Sequence, residues 1–145
     1  MNKTQRGFTI IELIVVIAII AVLATIVMIN VTGYIAKSKD AAIKGNMQTI
    51  ASSAAGIYDS YKAYNSAAAN SVCGSPTGLN VIAQITNSLS NGAPSCQNNT
   101  GSWCMCANLL TVSGNTYCVD STGYKKENAT ACSTRCNATS QACTN

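Results

Sequence analysis

The chain has 145 residues, a length for one domain with appendages and too short for two full-sized cores. Only 10% of its residues are charged, against about 25% in an ordinary soluble domain, which excludes a typical cytosolic surface. The net charge of +4 comes from nine basic and five acidic residues with no dense Lys/Arg block, so nucleic acid is not an expected partner. There is no histidine, and one Trp, one Phe and six Tyr leave the core to aliphatic side chains and cross-links.

Residues 1–7, MNKTQRG, are short, polar and basic, with Lys3 and Arg6. An apolar zone follows over residues 8–36. From Leu13 to Ala36 no residue is charged, and 24 residues at a rise of about 1.5 Å each reach roughly 36 Å, enough for the hydrocarbon core of a bilayer. One residue breaks the pattern at its edge, Glu12.

The order of these features carries the functional argument. A secretory signal places its small-residue cleavage site after the apolar run. Here the small residue, Gly7, stands before the run, directly behind Lys3 and Arg6. Cleavage between Gly7 and Phe8 would create a new α-amino group four residues from Glu12. A carboxylate at membrane depth costs on the order of 3 kcal/mol at a helix centre, so it calls for a partner. In a bundle of such helices, the carboxylate of one chain neutralises the amine of the next.

From Tyr34 to Tyr61 there is no proline, and Ile43, Met47, Ile50, Ala54, Ile57 and Tyr61 recur at helical spacing. They predict one apolar stripe, with Lys39, Lys44, Gln48, Ser52 and Asp59 mostly off it. The membrane segment and this amphipathic segment read as one long helix. Gly33, Gly45 and Gly56 weaken it by about 1 kcal/mol each relative to Ala.

In residues 65–145, Asn, Ser, Thr and Gly make up 39 of 81 positions. All eight cysteines lie here: Cys73, Cys96, Cys104, Cys106, Cys118, Cys132, Cys136 and Cys143. An even count in a short, loop-rich segment predicts disulfides formed outside the cytoplasm. Zinc is the poorer reading, because Cys104 and Cys106 are one residue apart and only Cys132 and Cys136 have a usable gap. Which cysteine pairs with which stays open among 105 connectivities. The pattern also predicts a short helix between Pro76 and Ser90 and a β-hairpin of Asn108–Val112 and Thr116–Asp120 around Ser113-Gly114-Asn115. A third strand starts near Gly123-Tyr124-Lys125.

The run from Arg6 to Ala24, RGFTIIELIVVIAIIAVLA, resembles the N-terminal signature of type IV pilins and of their type II secretion relatives, the pseudopilins. The resemblance covers residues 1 to about 50, and the head shares only a general plan of long helix, linker and antiparallel sheet with late cysteines. It implies that a membrane prepilin peptidase cuts after Gly7 and N-methylates Phe8, and that Glu12 sets register with a neighbour's amine during assembly. Family members commonly carry a proline where Ile29 stands.

The expected fold is α+β: a leader at residues 1–7, a long helix at 8–62 whose 8–36 part serves the membrane or a filament core, and a cysteine-rich head at 63–145. The expected function is a structural subunit of a type IV pilus-like filament. Its partners are copies of itself, the prepilin peptidase, an assembly platform protein with its ATPase, and the membrane. It sits first in the cytoplasmic membrane with the head outside, then in a surface filament. Catalysis is not expected, since no histidine is present and the thiols are oxidised. No cofactor or metal is expected either; Asp120 has only Glu127 near it in sequence, too few oxygens for calcium. Three N-x-S/T triplets, at Asn98, Asn128 and Asn137, are weak glycosylation signals. Lys125, Lys126 and Arg135 read as a solvated face. The alternatives are a pseudopilin of a secretion or DNA-uptake system, a single-pass anchored protein that never polymerises, and a secreted cysteine-rich binding module released by signal peptidase at Val22-Leu23-Ala24.

Overall fold

A computed structural model describes residues 7–66, 70–74, 81–82, 85 and 92–144, with backbone alone at residues 29 and 30. In chain order they form α1 (Ile10–Tyr61), β1 (Ser95–Asn98), β2 (Trp103–Asn108), β3 (Thr116–Asp120), β4 (Lys125–Asn128) and a one-turn α2 (Cys132–Arg135). The fold is α+β. The chain divides into two compact units, one up to Ile35 and one from Ala36 onward.

In the first unit every described side chain is exposed. The hydroxyl of Thr25 donates to the carbonyl of Val22 at 2.7 Å, so this polar group inside the apolar run is satisfied by its own helix. The backbone is helical through Ile29 and Asn30.

In the second unit the helical stripe meets the sheet. Ile43, Met47, Ile50 and Ala54 are buried and Ile57 is partly buried against them. Tyr61, expected on the same stripe, is 48% exposed. The cause is local: Lys62 takes a left-handed φ of 55°, which ends the helix and leaves Tyr61 on its last turn.

The four strands form an antiparallel meander in the order β1-β2-β3-β4. Because strand side chains alternate, β2 sends Trp103, Met105 and Ala107 to the α1 stripe and Cys104 and Cys106 to the opposite face. Cys106 stands opposite Cys118 on β3, whose neighbours Tyr117 and Val119 join the α1 core. Both faces of β2 and β3 are therefore covered, and their residues are buried almost without exception.

The cover of the second face is the C-terminal segment, bound by three disulfides: Cys104–Cys136, Cys106–Cys132 and Cys118–Cys143. A fourth, Cys73–Cys96, ties the segment after α1 to β1. The sequence separations run from 23 to 32 residues, so each cross-link contributes about 3–4 kcal/mol in the chain-entropy account. Under this cover lies Arg135, 0% exposed, which corrects the expectation of a solvated basic face. Its guanidinium donates to the carbonyls of Thr116, Lys126 and Thr144 and to the hydroxyls of Thr116 and Tyr124, all between 3.0 and 3.2 Å. The Tyr124 ring centroid is 5.8 Å away. Carbonyl dipoles and an aromatic face thus replace the water that burial removes.

The β2–β3 connection is longer than the three-residue link predicted. Asn108 pairs with Thr116, so Leu109–Asn115 form the loop and Leu109–Val112 are not strand. The buried carboxylate of Asp40 on α1 accepts from the amides of Leu110 (2.6 Å) and Thr111 (2.9 Å) and from the Thr111 hydroxyl, taking donors that a longer ladder would need. Lys44 on α1 pairs with Glu127 on β4. The predicted third strand is β4, preceded by Gly123 at a φ of +87°. The predicted helix at Pro76–Ser90 falls mostly outside the described residues; within it, Val81 and Ile82 are helical, and Val81 and Ile85 are buried in the core. Cys-rich β2 and the edge strand β1 are additions to the sequence-based picture.

Two outcomes test this packing. Burial pushes the Asp40 carboxyl up, but the Thr111 hydroxyl, the amides of Leu110 and Thr111 and the Lys44 charge outweigh it, and the pKa is lowered. A carboxylate with a depressed folded pKa stabilises the fold above its unfolded pKa, and that contribution is lost as pH falls through the folded value. Asp40→Asn should lower the unfolding free energy near pH 7 by about 1–2 kcal/mol, and the parent's advantage should shrink as pH falls below the ordinary carboxylate range; buried Trp103 emission reads the unfolding. Arg135→Ala should cost about 3 kcal/mol or more, because several buried acceptors lose their donor, whereas exposed Lys125→Ala should stay within about 0.5 kcal/mol.

Candidate processing and assembly site

Gly7, Phe8 and Thr9 precede α1 without regular structure. Among the described residues, a Cβ added at Gly7 would meet no atom within 4 Å. Phe8 is 87% exposed.

Thr9 and Glu12 close the first turn of α1 reciprocally. The Thr9 hydroxyl accepts from the Glu12 amide at 3.3 Å. Glu12 Oε2 in turn accepts from the Thr9 amide at 2.8 Å and the Thr9 hydroxyl at 2.9 Å. This is a capping box, with Thr9 at the cap and Glu12 three residues on. It satisfies helix-start donors that would otherwise be orphaned, and it places the negative charge where the helix dipole favours it. The Thr-x-x-Glu spacing was a readable signal for it. Within the chain, Thr9 supplies both donors to the Glu12 carboxylate.

Beyond the cap, the exposed side chains from Leu13 to Met28 make an apolar surface interrupted only by Thr25. Such an area exceeds what a soluble monomer normally exposes and marks a surface that partners cover. Its chemistry suits lipid tails or other apolar helices, and it holds no nucleophile.

In the head, the polar groups singled out from sequence are engaged structurally. Asp120 Oδ1 accepts from the Thr122 amide, the Thr122 hydroxyl and the Tyr124 amide at 2.6–3.2 Å, and Oδ2 accepts from the Cys143 amide at 2.8 Å. The carboxylate staples the β3–β4 turn to the tail. Lys126 lies over the Tyr124 ring at 5.5 Å. Asn98 donates its side-chain amide to the Tyr64 carbonyl at 2.8 Å, and Asn137 caps a turn through the amides of Thr139 and Ser140. All eight cysteines are in disulfides, which leaves no thiolate as nucleophile or ligand.

No curated protein and no solved structure matches the chain. The family model described as the prokaryotic N-terminal methylation motif matches residues 2–28, the segment that holds Gly7, Phe8, the Thr9–Glu12 cap and the exposed apolar turns. The chain carries the N-terminal signature of type IV pilins and pseudopilins.

Proposed function

We propose that this protein is the structural subunit of a type IV pilus-like filament. The observation that carries the reading is the methylation motif at residues 2–28, whose helical part from Ile10 onward exposes its side chains, all apolar between Leu13 and Met28 except Thr25. In this reading residues 1–7 are a leader, a prepilin peptidase cuts between Gly7 and Phe8, and the new Phe8 amine is methylated. The helix first holds the subunit in the cytoplasmic membrane with the head outside. An assembly platform and its ATPase then move it into a filament where apolar helices bury one another.

The open space around Gly7 supports a role in recognition over one in folding. The cap supports a division of labour at Glu12. Both Thr9 donors reach Oε2, so Oε1 remains to accept from a neighbour's amine. Apolar packing supplies the bulk of the association energy and Glu12 supplies register. On the outer side of α1 in the head, Gly45 and Gly56 are exposed with no atom near a would-be Cβ, which permits close approach of another helix.

Processing is checked by N-terminal mass analysis of the surface form. It should begin at Phe8 and carry one added methyl group, and Gly7→Leu should retain the leader in the membrane. A mature chain starting at Thr25 would instead indicate signal peptidase and a released head.

The two jobs of Glu12 separate by substitution. Gln still completes a capping box, so Glu12→Gln should keep the helix start yet stall filament growth, because a neighbour's amine in a low-dielectric bundle loses its counter-charge at a cost of several kcal/mol. Thr9→Ala should lose about 1 kcal/mol of helix capping and still assemble. Sheared filaments and membrane-held subunit are measured side by side, and normal filament yield from Glu12→Gln would remove charge pairing from the mechanism.

A further inference from the structure

The β2–β3 loop carries an exposed apolar tip that the sheet does not use. Val112 is 53% exposed, and among the described residues beyond Ala36 it is the only exposed large aliphatic side chain. Leu110 beside it is half-buried. The loop is fixed: Asp40 holds the amides of Leu110 and Thr111 and the Thr111 hydroxyl. Asp40 stands four residues after Ala36, where the uncharged run ends, or about 6 Å of helix rise.

Cations gather at the same level. Lys37 and Lys44 line a cleft of about 350 Å³ together with Asp40, Leu109, Thr111 and Val112. Lys44 is paired with Glu127, whereas Lys37 and Lys39 enter no ion pair among the described residues. The only acidic group in this stretch, Asp40, has its carboxylate committed to the loop. Lysines directly after a span, on the side of a disulfide-bonded head, run against the usual placement of basic residues in the cytoplasm. Exposed and outside any ion pair among the described residues, they leave positive charge open to an anionic surface.

We propose that the Leu110–Val112 tip and Lys37 with Lys39 form an interfacial foot that rests on an anionic bilayer surface while the subunit is held in the membrane. This rests on the membrane-anchored reading above. The apolar tip enters the headgroup boundary with Lys37 beside it, and Lys39 reaches the phosphates from the far side of the helix. The Asp40 clamp joins the tip to α1, so the contact engages the head as a whole. Entry into a filament then requires the foot to leave the lipid.

The test uses the full chain reconstituted into vesicles of phosphatidylethanolamine and phosphatidylglycerol that carry acyl-chain bromines near the headgroup. Val112→Trp reports contact by quenching. Native Trp103, 2% exposed, is the unquenched reference that also reports a folded head. Tyr58→Trp, eighteen residues beyond Asp40 on the same helix, is the distant control. All variants should float with the vesicles, and Val112→Trp should be quenched at least about twofold more than Tyr58→Trp. That excess should fall by about half in phosphatidylcholine or when Lys37→Gln and Lys39→Gln are added. Flotation with equal quenching at both positions overturns the foot and leaves the anchor standing. Protection of Val112→Trp only in assembled filaments also overturns it and assigns the tip to a contact between copies. Failure to float overturns the anchored reading itself, and the foot with it.

Discussion

The head depends on the alternation of side chains along β2. Trp103, Met105 and Ala107 face the α1 stripe, and Cys104 and Cys106 face the C-terminal segment. In this meander both faces of β2 and β3 are buried, so each face has its own cover. Each cover meets it with different chemistry. Apolar contact with Ile43, Met47 and Ile50 serves one side, and covalent bonds plus the Arg135 donors serve the other. A slip of one residue would send cysteines to the helix and Trp103 to the tail. The cross-links forbid that slip, so the disulfides set register as well as contributing chain entropy.

What the sequence made legible follows from periodicity. The α1 stripe was readable because its spacing matches the helix, and β3 because it alternates between turn residues. The length of the β2–β3 loop was not readable. Leu109-Leu110-Thr111-Val112 has strand composition, and the amides of Leu110 and Thr111 are taken by Asp40, some seventy residues earlier in the chain. Arg135 was hidden for a similar reason, since a lone cation in a polar segment reads as solvated until its acceptors converge from Thr116, Lys126 and Thr144. Two signals were present without being used: Cys104-x-Cys106, which puts two cysteines on one face of a strand, and Thr9-x-x-Glu12 at the helix start.

At the N-terminus, the filament reading proposed here gives one carboxylate two roles. In the single chain Glu12 is held by Thr9, which gives the charge a partner before any neighbour exists. A cap of this kind is worth about 1 kcal/mol, less than a charge pair gains over an unpaired amine in an apolar bundle. In the filament reading proposed here, Oε2 keeps the Thr9 cap while Oε1 takes a neighbour's amine, so pairing leaves the helix start intact.

The connectivity of the head also sets an order of oxidation. Cys73 and Cys96 are the first two cysteines along the chain and pair with each other. Cys104, Cys106 and Cys118 follow, yet their partners are the last three, Cys136, Cys132 and Cys143. A chain that emerges in the order of its synthesis therefore presents three thiols on a bare sheet before any of their native partners arrives. During that interval the sulfurs within reach are mostly wrong ones. Fidelity then belongs to thiol–disulfide exchange, which must keep undoing premature pairs until the tail closes over the sheet.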